Sequence, residues 1–116
     1  MRIQSVTVGV PTTDLQRSVQ WYQRVFELTS PDLEPSEGVV EFKVGGVWLR
    51  LGQDSQGAPG GFVLRFGVAD VAGQRARLAR MGVQVSGLRQ VESVLEYFDF
   101  TDPDGNRLGL YAEVEP

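Results

Sequence analysis

The sequence predicts an α+β fold built from two copies of one βαβββ unit. Three observations carry that prediction. A β-branched strand running into an aspartate-headed helix occurs twice, at Val6–Val10 before Asp14-Leu15 and at Phe62–Val68 before Asp70-Val71. A strand signature near the end of each half also recurs, as Gly46-Val47-Trp48-Leu49-Arg50-Leu51 and Gly105-Asn106-Arg107-Leu108-Gly109-Leu110. Between the halves runs Gly52-Gln53-Asp54-Ser55-Gln56-Gly57-Ala58-Pro59-Gly60-Gly61, a Gly-rich polar stretch of linker composition. With 116 residues, 41% hydrophobic, the chain can bury one core. The expectation is one domain of two modules, about 1–53 and 62–116, with a linker at about 54–61.

In the first half, Val6–Val10 is apolar and β-branched and reads as a strand that Pro11-Thr12-Thr13 interrupts, with a threonine hydroxyl placed to cap the helix. From Asp14 to about Phe26, Leu15, Val19, Tyr22 and Phe26 recur at helical spacing; Trp21 and Tyr22 are read as packing residues, one of them on the sheet. Pro31 and Pro35 mark a loop, and a strand near Thr29–Leu33 is the weakest of the set. Strands at Val39–Val44 and Val47–Leu51 follow, joined by Gly45-Gly46, which suits the positive φ of a tight hairpin. In the second half, Asp70 opens a helix to about Met81 that Gly82 can end. Strands are expected at Val83–Val85, Val91–Phe100 and Arg107–Tyr111, the last two joined by the turn Asp102-Pro103-Asp104-Gly105-Asn106.

Composition excludes several chemistries. The chain has no histidine and no cysteine, so it lacks the commonest metal ligands, the usual general base near neutral pH and a thiol nucleophile. No disulfide framework is possible, which fits a reducing compartment. A net charge of −4 argues against binding a phosphate backbone, so no nucleic-acid partner is expected. Met1-Arg2-Ile3-Gln4-Ser5 offers no apolar stretch for a signal peptide or membrane span, so no membrane partner and a cytoplasmic location are expected. The glycines at 57, 60 and 61 lack the lysine and hydroxyl residue of a phosphate loop.

The chain carries Val8-Gly9-Val10-Pro11-Thr12-Thr13-Asp14-Leu15, Ser18, Trp21-Tyr22 and Val25-Phe26, together with Phe100-Thr101-Asp102-Pro103-Asp104-Gly105-Asn106. On these residues and this layout it resembles the vicinal-oxygen-chelate superfamily, which includes glyoxalases, bleomycin-resistance proteins and extradiol dioxygenases. The resemblance implies a curved open sheet around a cavity, with the helices outside, and a homodimer. It departs from the family pattern at Glu27, where many relatives carry glycine, so the first helix must end without that residue. The resemblance also implies four metal-ligand positions, which fall here on Thr7, Val63, Arg50 and Gly109. Valine and glycine offer no side-chain donor, threonine is a poor ligand and arginine is cationic, so no metal and no cofactor are expected.

Strand alternation then divides the side chains into two sets. Val6, Val8, Val10, Val47, Leu49, Leu51, Leu64, Phe66, Val68, Leu108 and Leu110 should lie under the helices. Ser5, Thr7, Gly9, Trp48, Arg50, Val63, Arg65, Gly67, Arg107, Gly109 and Tyr111 should line the cavity. The candidate ligand-binding residues are Trp48, Arg50, Arg65, Tyr111, Thr7 and Glu41, with no catalytic residue assigned. Arg50 and Arg65 can anchor an anion, with Trp48 and Tyr111 as stacking walls. Alternatively, each arginine pairs internally with a carboxylate such as Glu41, Glu96 or Asp99 or snorkels out of the open sheet, and the two aromatics pack at a dimer interface. Glu41 faces the cavity if Val40, Phe42 and Val44 face the helices; Tyr97, Asp99 and Thr101 do so if Phe98 and Phe100 turn to the core. The function expected is metal-independent binding of a small molecule, a drug or metabolite. The alternatives are an isomerase or lyase using a cavity carboxylate or tyrosine, and a partner-binding domain with a vestigial cavity.

Overall fold

The computed structural model describes residues 1–56 and 61–114. Of the expected linker, residues 57–60 lie outside the described residues. The chain divides into two compact units, Met1–Pro59 and Gly60–Pro116, and each repeats the same plan.

The first unit runs β1 (Thr7–Thr12), α1 (Leu15–Val25), β2 (Leu33–Ser36), β3 (Val39–Val44) and β4 (Val47–Gln53). Its open sheet has the order β1-β4-β3-β2, with β1 parallel to β4 and the other pairs antiparallel. The second runs β5 (Leu64–Gly67), α2 (Val71–Arg80), β6 (Arg89–Val91), β7 (Leu95–Thr101) and β8 (Arg107–Glu113), in the order β5-β8-β7-β6. Again the outer β5 lies parallel to β8 and the rest are antiparallel. These are two βαβββ modules with helices flanking open sheets, as expected.

Burial follows strand alternation. Val10, Val40, Phe42, Leu49 and Leu51 are buried on one face of the first sheet, with Ser18, Tyr22 and Val25 of α1. In the second, Phe98, Phe100, Leu108 and Leu110 are buried with Val71 and Leu78 of α2. Tyr22 is the residue of the Trp21-Tyr22 pair that is fully buried, and its ring stacks on Phe26 at 5.7 Å.

Both helices start at an aspartate. Asp14 accepts from the Arg17 amide at 3.1 Å, and Asp70 accepts from the Gly73 amide at 2.9 Å. The cap on α1 is therefore Asp14 and not a threonine; the Thr12 hydroxyl instead accepts from the Asp14 amide at 3.2 Å. Gln53, at the end of β4, ties the helix start to the sheet: its Oε1 accepts from the Leu15 amide at 2.8 Å and its Nε2 donates to the Thr13 carbonyl at 2.7 Å. At the other end, Glu27 takes φ 54° and the Leu28 amide donates to the Gln23 carbonyl at 2.9 Å. That six-to-one bond is a Schellman ending, formed here with glutamate in the left-handed position that favours glycine.

Several boundaries differ from expectation. β1 begins at Thr7, leaving Val6 outside it and half-exposed, and continues through Pro11 to Thr12. Proline is tolerated there because β1 is an outer strand, where an amide can be missing without breaking the ladder. The same reason admits Pro35 inside β2, which lies at Leu33–Ser36 and not at Thr29–Leu33. Phe62, Val63 and Val68 fall outside β5, and Val83–Val85 is no strand, only an isolated bridge between Val85 and Phe100. The single strand expected over Val91–Phe100 is a hairpin of β6 and β7, turned by Glu92 and Ser93 at φ 50° and 58°. Neither residue is the Gly or Asn that normally signals such a turn. The turn at 102–106 is as read: Asp102 Oδ1 accepts from the amides of Asp104 and Asn106, both at 2.9 Å, and Gly105 takes φ 85°.

Candidate functional site

The face of each sheet opposite the buried apolar rows carries the candidate residues. On the first sheet, Thr7 is in register with Trp48 and Trp48 with Lys43, while Gly9 is in register with Arg50 and Arg50 with Glu41. Because Val40 and Phe42 are buried on the other side, Glu41 turns to this open face. Its carboxylate is buried and accepts from Arg50 Nε at 2.9 Å. Trp48 carries Lys43 Nζ 5.5 Å from its ring centroid. A shallow hollow of about 330 Å³ lies over Gly9 and Gly52 beside Arg50.

On the second sheet, Phe98 and Phe100 are buried, so Tyr97 and Asp99 turn to the open face. Across the strands, Arg65, Gly109 and Asp99 form one row; Gly67, Tyr111, Tyr97 and Arg89 form the next. Arg65 donates from Nε to Asp99 Oδ1 and from Nη2 to Asp99 Oδ2, both at 3.0 Å. This bond holds the guanidinium above its ordinary pKa, against a smaller opposing effect of burial. The guanidinium also lies 4.6 Å from the Tyr97 ring centroid. Arg65, Val91, Leu95, Tyr97 and Tyr111 line a partly open cavity of about 270 Å³ with mainly apolar walls.

Asp99 is fixed from behind. Its amide donates to Ser86 Oγ at 2.9 Å and its carbonyl accepts from the Ser86 amide at 2.8 Å. Arg75 of α2 in turn holds the Ser86 carbonyl through Nε at 2.6 Å.

The two ion pairs are one device in two forms. Counting back from the helix-heading aspartates makes Gly9 equivalent to Arg65, and strand register makes Arg50 equivalent to Gly109 and Glu41 to Asp99. Each module thus holds a glycine, an arginine and a carboxylate in one row, with glycine and arginine exchanged between the outer and the neighbouring strand. In the first module the pair joins adjacent strands. In the second, Arg65 reaches two interstrand spacings, roughly 10 Å, to Asp99. It can do so because Gly109 has no side chain: a Cβ there would collide with Asp99 Oδ1 and stand 2.9 Å from both Arg65 Cγ and the Phe98 carbonyl oxygen.

The four positions that the family resemblance marks for a metal therefore do not fit one. Arg50 places a cation at one of them, and the Arg65 side chain lies over Gly109 at another. Among the described residues, no group of three or more His, Cys, Asp or Glu side chains could hold an ion. No helix among them is long and apolar enough to cross a membrane.

Of the six expected site residues, Thr7, Glu41, Trp48 and Arg50 share the open face of the first sheet, and Arg65 and Tyr111 that of the second. Both arginines form the internal pairs that were one of the two readings. Tyr97 follows from the alternation of Phe98 and Phe100. Val91 and Leu95 carry no signal in the sequence, because the hairpin between them lacks a turn signature and reads as one continuous strand.

The sequence model of the Glyoxalase/Bleomycin resistance protein/Dioxygenase superfamily matches residues 2–110. Among solved structures, the chain is similar to TnmS3, an antibiotic binding protein from Streptomyces sp. CB03234, at 26% identity, with a TM-score of 0.81 over 97% of this chain and 98% of that one. It is also similar to lactoylglutathione lyase from Agrobacterium tumefaciens, at 19% identity and a TM-score of 0.78, over 94% and 92% of the two chains. A glyoxalase/bleomycin resistance protein from Catenulispora acidiphila gives 18% identity and a TM-score of 0.74, over 93% and 96%. Among curated proteins, none matches.

Proposed function

This chain belongs to the glyoxalase/bleomycin resistance protein/dioxygenase superfamily, and from that premise we propose that it is a metal-independent binding protein for a small molecule. The observation that carries the reading is the 270 Å³ cavity on the open face of the second module, where apolar and aromatic walls surround a single guanidinium. A volume near the lower end for ligand pockets suits a guest of one or two fused rings. The donor chemistry at the family's metal positions supports binding over metal catalysis. So does the state of the open-face carboxylates: Glu41 and Asp99 each accept from an arginine, so their oxygens are engaged as charge partners. Similarity to an antibiotic binding protein supports the same role. The proposal includes a homodimer, read by sedimentation velocity, and a cytoplasmic location, read by fractionation.

The test is thermal stabilisation across a library of small planar compounds, followed by mass analysis of the recovered ligand. Binding predicts stabilisation that Tyr97→Ala and Tyr111→Ala remove, with the ligand returned unchanged. A library without a single hit, or a ligand chemically altered in the presence of chelator, refutes the reading.

A further inference from the structure

We infer that the open-face pocket of the second module selects planar, uncharged ligands, because the Arg65–Asp99 pair balances its own charge across Gly109. The inference rests on the binding role proposed above and adds the chemical class of the guest.

Two glycines flatten this face. At Gly67 the Tyr111 ring leans into the space a side chain would take, with Cζ and Oη each 3.1 Å from the position of a Cβ. At Gly109 the same space holds the Arg65 stem and the Asp99 carboxylate. The floor is therefore a run of flat, delocalised groups: the Tyr97 ring, the guanidinium stacked 4.6 Å from it, and the Tyr111 ring in the same register row as Tyr97. Val91 and Leu95 supply an apolar rim. Flat groups of this kind hold a flat guest by stacking and dispersion.

Charge restricts the guest further. The Nε and Nη2 edge is already spent on Asp99, which leaves an anion only the remaining Nη hydrogens, close beside the Asp99 carboxylate. An anionic guest would have to displace Asp99 or sit against its negative charge, and like charges at such range are strongly unfavourable. A cationic guest meets the same objection at Arg65. The other charged residues on these strands of the open face are Arg89, in register with Tyr97, and Glu113, in register with Leu95, with Arg107 one row beyond Gly109. None of these three lines the pocket. Only an uncharged guest leaves the pair intact.

The test uses three ligands of one shape, 2-naphthamide, 2-naphthoate and 2-naphthylmethylammonium, titrated into the full chain by calorimetry. The amide should bind at least about tenfold more tightly than either ion. Asp99→Asn should then raise affinity for 2-naphthoate by about tenfold or more while moving the amide by less than about threefold. Wild-type protein that takes either ion as tightly as the amide overturns the selectivity and leaves the binding role standing. So does a folded Asp99→Asn protein with unchanged naphthoate affinity. Should that variant fail to fold, the wild-type ranking decides alone. Binding of none of the three overturns the pocket reading and the selectivity together.

Discussion

Placing a methyl group at position 109 tests the architecture of the second module at its tightest point. In Gly109→Ala the new Cβ meets Asp99 Oδ1, Arg65 Cγ and the Phe98 carbonyl oxygen. The first two sit on side chains that can swing away, at the loss of an ion pair whose partners are about a third or more exposed and so worth at most about 1 kcal/mol. The third is backbone within the sheet and cannot move without disturbing β7. Overpacking of this kind costs about 1–3 kcal/mol. The smaller unfolded-state entropy of alanine returns about 0.4–1 kcal/mol. The net expectation is a loss of about 1–3 kcal/mol, or a fall in Tm of about 4–8 °C for each kcal/mol in a chain of this size. Differential scanning calorimetry and urea unfolding measure it directly. The decisive comparison is a double-mutant cycle with Asp99→Ala, which removes one collision and leaves the carbonyl. Gly109→Ala should then cost about 1 kcal/mol less than in wild type. A Tm equal to wild type, or the same cost in both backgrounds, would refute the claim that the pair lies over this glycine.

Three further perturbations probe the modules separately. Glu27→Gly should raise stability by about 1 kcal/mol in urea titrations, since a left-handed non-glycine residue costs about 1–2 kcal/mol and glycine's extra chain entropy offsets part of it; Glu27→Ala, which keeps a Cβ, should give no such gain. Ser18 Oγ is buried without a hydrogen-bond partner among the described residues, so Ser18→Ala should stabilise by about 1 kcal/mol, and a loss would reveal a partner. Gly73→Ala lies inside α2, where alanine normally gains about 1 kcal/mol. Here its Cβ would stand 2.8 Å from Asp70 Cγ and displace the cap, so the gain should appear in an Asp70→Ala background and vanish in wild type, by thermal unfolding.

Two periodicities made the modules legible in the sequence. Alternation in Val39–Val44 and Val47–Leu51 gave both strands and made Glu41 one of the carboxylates open to Arg50; the register that pairs them comes from the hairpin at Gly45. The aspartates at 14 and 70 announced both helices through the chemistry of an exposed amide turn. What escaped was set by tertiary context. Pro11 and Pro35 read as breaks because only position at the edge of a sheet makes them harmless in a strand. Glu92 and Ser93 carry no turn signature, so β6 stayed hidden inside a longer apolar run, and with it the rim formed by Val91 and Leu95. Asp99 is among the carboxylates open to Arg65, but it lies 34 residues away across an intervening strand, so alternation alone does not choose it over Glu41 or Glu96.

The mirrored placement of glycine and arginine in the two modules also constrains how either could change by mutation. To convert the first arrangement into the second, Gly9 must become arginine and Arg50 must become glycine. Neither half-step is comfortable. Arg50→Gly by itself strands a buried Glu41 without its counter-ion. Gly9→Arg by itself meets open space at its Cβ but sets a second cation in register with the first. The two substitutions are therefore coupled through Glu41: an arginine at position 9 offers it a counter-ion only once Arg50 has left the row between them.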